Sequence, residues 1–452
     1  MVKNSFGLTQ GPIFSKLMML SLPVVTGQFL NITYTLSDIF WLGMLSPAAV
    51  AASGTASLFV WLGAAIQLFL RAGTEIGVSQ SFGKGDSGAA QGYTEAAFRL
   101  AIIAGIGFGA FLIFARVPLV AFFGIPDEQV VQDTQQLLVL SAITLPFIYM
   151  SSVIAASFQA YGNTRTPFIN IAAGVLVNVV LDPILIFGAG LGVMGAAYAT
   201  IAARLVEFAL HFMAIRRSGV RPFERMRFLA PIELNKLVNI FKWGWPIGLE
   251  NALFTILSMV IAMLIAGHGV GAMAAQRVAF QIESLSWLIG LSFGIAVTAF
   301  VGQNYGAGMY SRIHRAFKLS LGIMSLYGIV VGAVFFVFAY PLMAIFLTDE
   351  PAISMGASLL RFSAFVAVPS CFEASVAGCF RGQGRTFPPS FVNIGVNIVR
   401  AFLAHYLNQA MGLDGIWIAV AAAVGLRGLL ILLWFLWEKR KLPMEDVAEI
   451  VN

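Results

Sequence analysis

Charged residues are scarce in this chain. Asp, Glu, Lys and Arg make up 11% of its 452 residues, where a soluble domain carries about 25%. With 59% hydrophobic residues and a mean hydropathy of +0.87, a water-soluble globular fold is excluded. Cysteine is nearly absent. Cys371 and Cys379 lie eight apart in one apolar segment, match no metal or redox spacing, and read as packing residues. The four histidines have no partner at metal-ligand or triad spacing. The apolar segments hold no nucleophile–base constellation, so neither an enzyme nor a cofactor is expected. No GxxxxGK(S/T) phosphate loop occurs, which excludes direct use of ATP. Two apparent motifs dissolve in context. GLGVMG at 190–195 satisfies GxGxxG but sits between apolar spans without a βαβ unit, and the NIT at 31–33 lies inside one.

What the chain does have is apolar runs of about 20 or more residues, each long enough to cross the roughly 30 Å of hydrocarbon in a bilayer. The expected fold is therefore an all-α polytopic membrane protein; a transmembrane barrel would show short alternating segments instead. Twelve transmembrane helices are expected near 14–42, 48–80, 92–122, 133–160, 166–188, 192–215, 236–266, 271–303, 314–346, 356–383, 388–410 and 414–437. The net charge of +6 comes from loops. GKGDSG, RRSGVRPFERMR, SRIHRAFK, GNTRTP and RGQGRTFPP fall on one side, and LSPAAVA, GIPDEQVVQDTQQ and LTDEPAIS, with no Lys or Arg, on the other. By the positive-inside rule both termini are cytoplasmic, and no nucleic-acid partner is needed to explain the basic residues. The opening stretch lacks a small-residue cleavage site and is expected to lead directly into the first span.

The two halves repeat. Pro23 and Pro246, Gln80 and Gln303, Pro146 and Pro369, Asn170 and Asn393, and Gly192 and Gly415 each stand 223 residues apart, and Asp127-Glu128 match Asp349-Glu350 at 222. Such a near-constant offset marks duplication, and an even number of spans per half makes the repeats parallel. Two six-helix bundles follow: residues 1–215 and 236–452, joined by a basic cytoplasmic linker at 216–235.

Polar residues inside the spans carry the functional signal, because an aspartate at the bilayer centre costs about 2.5–3.5 kcal/mol on insertion scales. Asp38 shares a helical face with Tyr34, Asn31 and Gly27. In the fifth span Asn170, Gly174, Asn178 and Asp182 recur every four residues. Both acids come late in spans that start inside, so they sit at similar depth and can share protons or hold a small cation such as Na⁺ through oxygens. The competing structural readings are a fixed hydrogen bond for Asp38 and a turn role for Asp182, which precedes Pro183. The repeat speaks against a scaffold role, since the two positions correspond to Ile261 and His405. In the second half, Glu250, Glu283 and Glu373 are candidates for a second cation or substrate site. Arg71/Glu75 and Arg204/Glu207 stand at intrahelical ion-pair spacing. Arg400 and Arg427 also lie within spans and receive no role from the sequence.

LPVVTGQFLNITYTLSDIFWLG, GQNYGAG, NVVLDPILIFG, GLGVMGAAYAT and CFRGQGRT, in this order, resemble the multidrug and toxic compound extrusion (MATE) family over about residues 14–437. The resemblance implies two six-helix bundles that export organic, often cationic, drugs in exchange for H⁺ or Na⁺. It further implies a first-bundle cation site of Asp38, Asn178, Asp182 and Thr200 beside Tyr34. Glu250 and Glu373 match acidic positions of the NorM-type branch, while LDP at 181–183 resembles the DinF and archaeal-type branches. Pro23 matches the position where the family's first helix bends.

The expectation is a monomeric inner-membrane antiporter whose cavity opens alternately to each side. A lipophilic cation would bind among the 39 Phe and 17 Met near ionised acids, and H⁺ or Na⁺ arriving from outside would displace it by neutralising Asp38 and Asp182. The rival is a flippase for lipid-linked oligosaccharides, which would want several inward arginines. The intramembrane excess reads as acidic, which favours the antiporter, and H⁺ is the expected ion because the acid pair can act by protonation alone.

Overall fold

The computed structural model describes residues 7–217, 222, 226–227 and 233–439, and these are helical almost throughout. Most of the expected linker and the last residues of the chain therefore lie outside the described residues. The helices are α1 (Ile13–Leu45), α2 (Pro47–Leu62), α3 (Ala64–Gly83), α4 (Ser87–Ala121), α5 (Glu128–Tyr161), α6 (Arg165–Pro183) and α7 (Val193–Arg216). They continue as α8 (Leu234–Ala266), α9 (Val270–Gly306), α10 (Tyr310–Val337), α11 (Ala339–Ala344), α12 (Glu350–Phe365), α13 (Ala367–Gly382), α14 (Phe387–Met411) and α15 (Leu413–Lys439). A π-helical turn, Ile184–Gly188, extends α6.

Among the described residues ten segments are long and apolar enough to span a bilayer, with α2 and α3 counted together, and the pair α12 and α13 makes an eleventh when taken as one span. The twelfth expected span is α14, a 25-residue helix that Asn393, Asn397, Arg400 and His405 render more polar than the rest. Large apolar side chains such as Phe114, Leu176, Met263 and Phe402 are exposed. In water they would form an adhesive surface; in a bilayer they meet lipid.

Breaks inside spans have local causes. The α2–α3 junction falls at Gly63, whose carbonyl accepts the Tyr149 hydroxyl at 2.9 Å. A proline ring collides with the carbonyl four residues back, so Pro341 ends α10 at Val337 and Pro369 ends α12 at Phe365. The second break bends its span by 57°. Its repeat counterpart Pro146 lies inside an unbroken α5. Asp127 and Asp349, matched by the repeat, do the same work: each caps a helix by accepting backbone N–H groups with its carboxylate.

The chain divides into two compact units. Met19–Trp245 forms the body of the first, and Leu8–Met18 with Pro246–Asn452 forms the second. The boundaries thus differ from those drawn on the sequence, for residues at the starts of both α1 and α8. In the second unit Leu8 is fully buried; its N–H donates to Gln303 Oε1 at 3.0 Å and its carbonyl accepts from Arg312 at 3.2 Å. The GQNYGAG segment, through Gln303 and Asn304, and Arg312 just beyond it hold it. In the first unit, Glu95 and Arg99 on α4 bind the backbone of Arg227.

Helices approach closely at small residues, as membrane interiors require. A Cβ on Gly105 of α4 would lie 2.5 Å from Pro146 Cα, and one on Gly328 of α10 would lie 2.7 Å from Val368 Cα. These positions are 223 apart, so one contact serves both units. Gly105→Val is expected to destabilise the protein by about 1–3 kcal/mol through overpacking, read as a lowered unfolding temperature in detergent. Gly107→Val, where nothing lies within 4 Å, should leave that temperature unchanged.

Candidate functional site

Three helices of the first unit bring polar pairs to one place, each pair spaced by four residues and so sharing a face. Helix α1 supplies Tyr34 and Asp38, α6 supplies Asn178 and Asp182, and α7 supplies Thr200 and Arg204. Small residues set the distances. A Cβ on Gly174 would meet the Ala203 carbonyl at 3.2 Å, and one on Gly195 would lie 2.7 Å from the backbone of Leu185 and Ile186 in the π-helical turn. That turn follows Asp182 and Pro183 directly, so the packing of α7 against it fixes where Asp182 points.

The Asp38 carboxyl sits against the Asp182 carboxyl, the Asn178 amide and the Tyr34 phenol. Asp182 and Asn178 are fully buried, and the Asn178 Nδ2 donates to Asp182 Oδ1 at 3.1 Å. The Tyr34 hydroxyl and the Thr200 hydroxyl are 2.8 Å apart. All five residues expected on the sequence are therefore neighbours. Asp38 Oδ1, Asp182 Oδ2 and Asn178 Oδ1 are buried acceptors without a hydrogen-bond donor. Buried oxygens in that condition are costly, and three of them on neighbouring side chains of two helices suit a proton or an alkali cation. No cluster of three or more His, Cys, Asp or Glu suited to a metal ion occurs among the described residues.

Arg204 belongs to this site, which the sequence reading had treated only as half of an ion pair. The pair is real, with Arg204 Nη1 2.8 Å from Glu207 Oε2. The guanidinium also lies over the Tyr34 ring at 4.9 Å and within electrostatic range of Asp38. Its position one helical turn after Thr200 was the available signal. Because Glu207 already occupies it, Asp38 and Asp182 are not locked to an arginine.

Pro23 lies within α1, and its missing N–H leaves the Met19 carbonyl without its helical donor. The Thr164 hydroxyl replaces that donor at 3.2 Å. Thr164 immediately precedes α6, the helix of Asn178 and Asp182, so the weak point of α1 is fastened to the element that carries half of the site. Nothing in the sequence singled out Thr164.

The acids of the second unit do not form one set. Glu250 on α8 accepts from Ser390 Oγ and Asn393 Nδ2 on α14, both at 2.7 Å. Glu373 on α13 faces Arg427 of α15, with 3.5 Å between Oε2 and Nη2, and lies in electrostatic range of Glu250. Glu283 on α9 instead accepts from Ser363 at the end of α12. Spacing along the chain placed all three glutamates within the membrane, and α9 presents Glu283 to Ser363.

A family model described as MatE matches residues 23–184 and 246–406. The chain belongs to the MATE family. It is 27% identical over 450 residues to the probable multidrug resistance protein NorM of Thermotoga maritima, covering 97% of this chain and 96% of that protein. It is also 27% identical over 424 residues to the multidrug export protein MepA of Staphylococcus aureus strain NCTC 8325, covering 90% of each. A crystal structure of MATE in the bent conformation shares the fold, with a TM-score of 0.90, 22% identity, and 96% and 97% of the two chains covered. The two matched stretches of this MATE chain start at Pro23 and Pro246, the repeat prolines of α1 and α8.

The Tyr34–Thr200 bond tests the geometry directly. In a double-mutant cycle of Tyr34→Phe and Thr200→Val, the coupling energy from unfolding measurements should be about 0.5–1.5 kcal/mol, the usual net worth of one hydrogen bond. Additive effects would mean that the two hydroxyls do not meet.

Proposed function

We propose that the chain is a secondary-active multidrug efflux antiporter of the inner membrane, working as a monomer with both termini cytoplasmic and driven by H⁺. Export of drugs follows from membership of the MATE family together with the names of its relatives. Coupling to an ion rests on one observation: two carboxylates, Asp38 and Asp182, stand side by side in the membrane-spanning part of the first unit, and the nearest arginine is engaged by Glu207.

Two adjacent negative charges in a low-dielectric surrounding repel strongly and attract any cation that reaches them. An organic cation and an incoming H⁺ each relieve that repulsion, so they compete. When the site faces outward, protonation removes the charge that retains the drug, and the drug leaves. When it faces inward, loss of the proton restores the charge, and the next drug binds. The cycle needs only that ion and drug favour different states. Tyr34 and Asn178 hold the two carboxyls in register while their charge changes. Sodium is the second reading, favoured by the three buried oxygen acceptors without donors.

Proteoliposomes with the pH and sodium gradients imposed separately distinguish the two. The expected result is dye export driven by the proton gradient alone. In Asp38→Asn that export should fall by at least about tenfold, the scale of a typical coupling energy, with an unchanged unfolding temperature. Normal gradient-driven export by this variant would remove Asp38 from the mechanism, and export driven only by sodium would replace H⁺ as the coupling ion.

A further inference from the structure

The second unit carries a basic corner that the first lacks. Helix α10 has no Asp or Glu along its 28 residues, and Arg315 and Lys318 near its start are exposed. Spaced by three, they share a face. Lys439, the last residue of α15, lies close enough to Lys318 to repel it. Its ammonium stands over the Phe317 ring at 5.3 Å. Phe317 packs on Phe435 with ring centroids 4.5 Å apart, and Phe435 on Phe380 at 5.0 Å. Three buried rings from α10, α15 and α13 thus hold the two lysine-bearing helices together at this corner.

Among the described residues no carboxylate pairs with Arg315, Lys318 or Lys439. The acid next to Lys439, Glu438, is engaged by Arg385 at 2.7 Å and by the Trp434 indole at 3.1 Å. In the first half the position 223 before Lys318 is Glu95, which accepts the backbone N–H of Arg227, and the counterpart of Arg315 is Gly92. The duplicated scaffold therefore does not require these cations. Like charges held side by side repel, and an anion between them turns that repulsion into attraction.

Farther along, both helices turn apolar and open. On α10 every fourth residue from Lys318 is exposed, at Gly322, Leu326 and Val330, and nothing stands within 4 Å of a Cβ on Gly322. On α15 an exposed row runs back from Lys439 through Leu436, Leu433 and Leu429. From Lys318 to Val330 the rise is about 18 Å at 1.5 Å per residue, close to the depth of one leaflet in a bilayer with roughly 30 Å of hydrocarbon.

We propose that Lys318 and Lys439, with Arg315 beside them, bind the phosphodiester of an anionic glycerophospholipid, in the leaflet that the orientation proposed above makes cytoplasmic. Ammonium groups bind phosphate as point charges, and basic pockets between membrane helices on the cytoplasmic side receive anionic head groups. The exposed rows of α10 and α15 take the acyl chains. Net negative charge on the head group is required, because a phosphatidylcholine phosphate brings its own cation. The site lies wholly in the second unit and uses none of the residues of the acid pair, so the lipid is a bound partner of the protein and not its cargo.

Native mass spectrometry of the purified full-length protein tests this, with dioleoylphosphatidylglycerol, dioleoylphosphatidylcholine or glycerol 3-phosphate titrated into the detergent solution. One phosphatidylglycerol is expected to bind more tightly than phosphatidylcholine. The double variant Lys318→Gln/Lys439→Gln should weaken it by about thirtyfold, since a basic residue near an anionic lipid surface is worth about fivefold, and leave phosphatidylcholine within about twofold. Lys318→Glu, which places the acid of the first half at this position, should abolish the preference. Lys84→Gln removes the same charge from an exposed position of the first unit and should leave phosphatidylglycerol binding within about twofold. Equal retention of the two lipids by the wild type, or an equal loss per lysine in Lys84→Gln, means diffuse attraction alone and overturns the site. Retention of glycerol 3-phosphate as tight as that of the lipid overturns its assignment to lipid.

Discussion

Charge inside hydrocarbon must be matched, neutralised or put to use, and the described structure of this protein is arranged around that requirement. At an effective dielectric of about 20, two unit charges 4 Å apart still interact by about 4 kcal/mol, so each buried charge dictates what its neighbours are. In the first unit the cation is matched and the anions are not: Arg204 has Glu207, whereas Asp38 and Asp182 have only each other and neutral donors. Glu207 thus gives Arg204 a counter-charge of its own, 2.8 Å away.

Duplication supplied the scaffold and divergence supplied the chemistry. The contacts kept in both halves are those of packing and capping: Gly105 and Gly328 at helix crossings, Asp127 and Asp349 at helix starts. Several of the buried charged residues differ. Asp38 and Asp182 have Ile261 and His405 as counterparts, Glu207 has Leu430, and Arg400 has Val177. The backbone diverged as well, since Pro146 is absorbed by α5 and Pro369 splits its span. Gly425 and Gly428 of α15 pack against that split, where a Cβ would lie 2.8 Å from Val366 and 2.1 Å from the Pro369 carbonyl oxygen. Arg427 sits between those two glycines, so the bend and the arginine that reaches Glu373 belong to one local packing arrangement.

Much of this was legible in the sequence because membranes restrict what a chain can do. Apolar run length located the spans, and a four-residue rhythm of polar side chains located the faces of α1 and α6. Asp38, Tyr34, Asn178, Asp182 and Thr200 were legible for that reason and through the family resemblance. What stayed hidden depends on contacts between helices that spacing does not encode. Arg204 looked satisfied by Glu207 and so appeared to be spent, yet an arginine can hold a carboxylate along one edge and cover a tyrosine with its face. Glu283 looked like a companion of Glu250 and Glu373 because depth can be counted along a helix, whereas rotation about the axis relative to neighbours cannot. Arg400 and Arg427 had no reading, since their partners, Ser258 and Glu373, stand on other helices.

The fastening of α1 joins its proline to the helix that carries half of the site. Pro23 removes one rung of the helix ladder, and Asp38 lies 15 residues farther along, about 22 Å at 1.5 Å per residue. If α1 were free at Pro23, bending there would cost little and would not depend on the state of Asp38. The Thr164 hydroxyl changes this by occupying the carbonyl that the proline exposes, and Thr164 directly precedes the helix that carries Asp182. The Asp38–Asp182 contact and the Thr164–Met19 bond thus tie α1 at two points to α6 and the residue that precedes it.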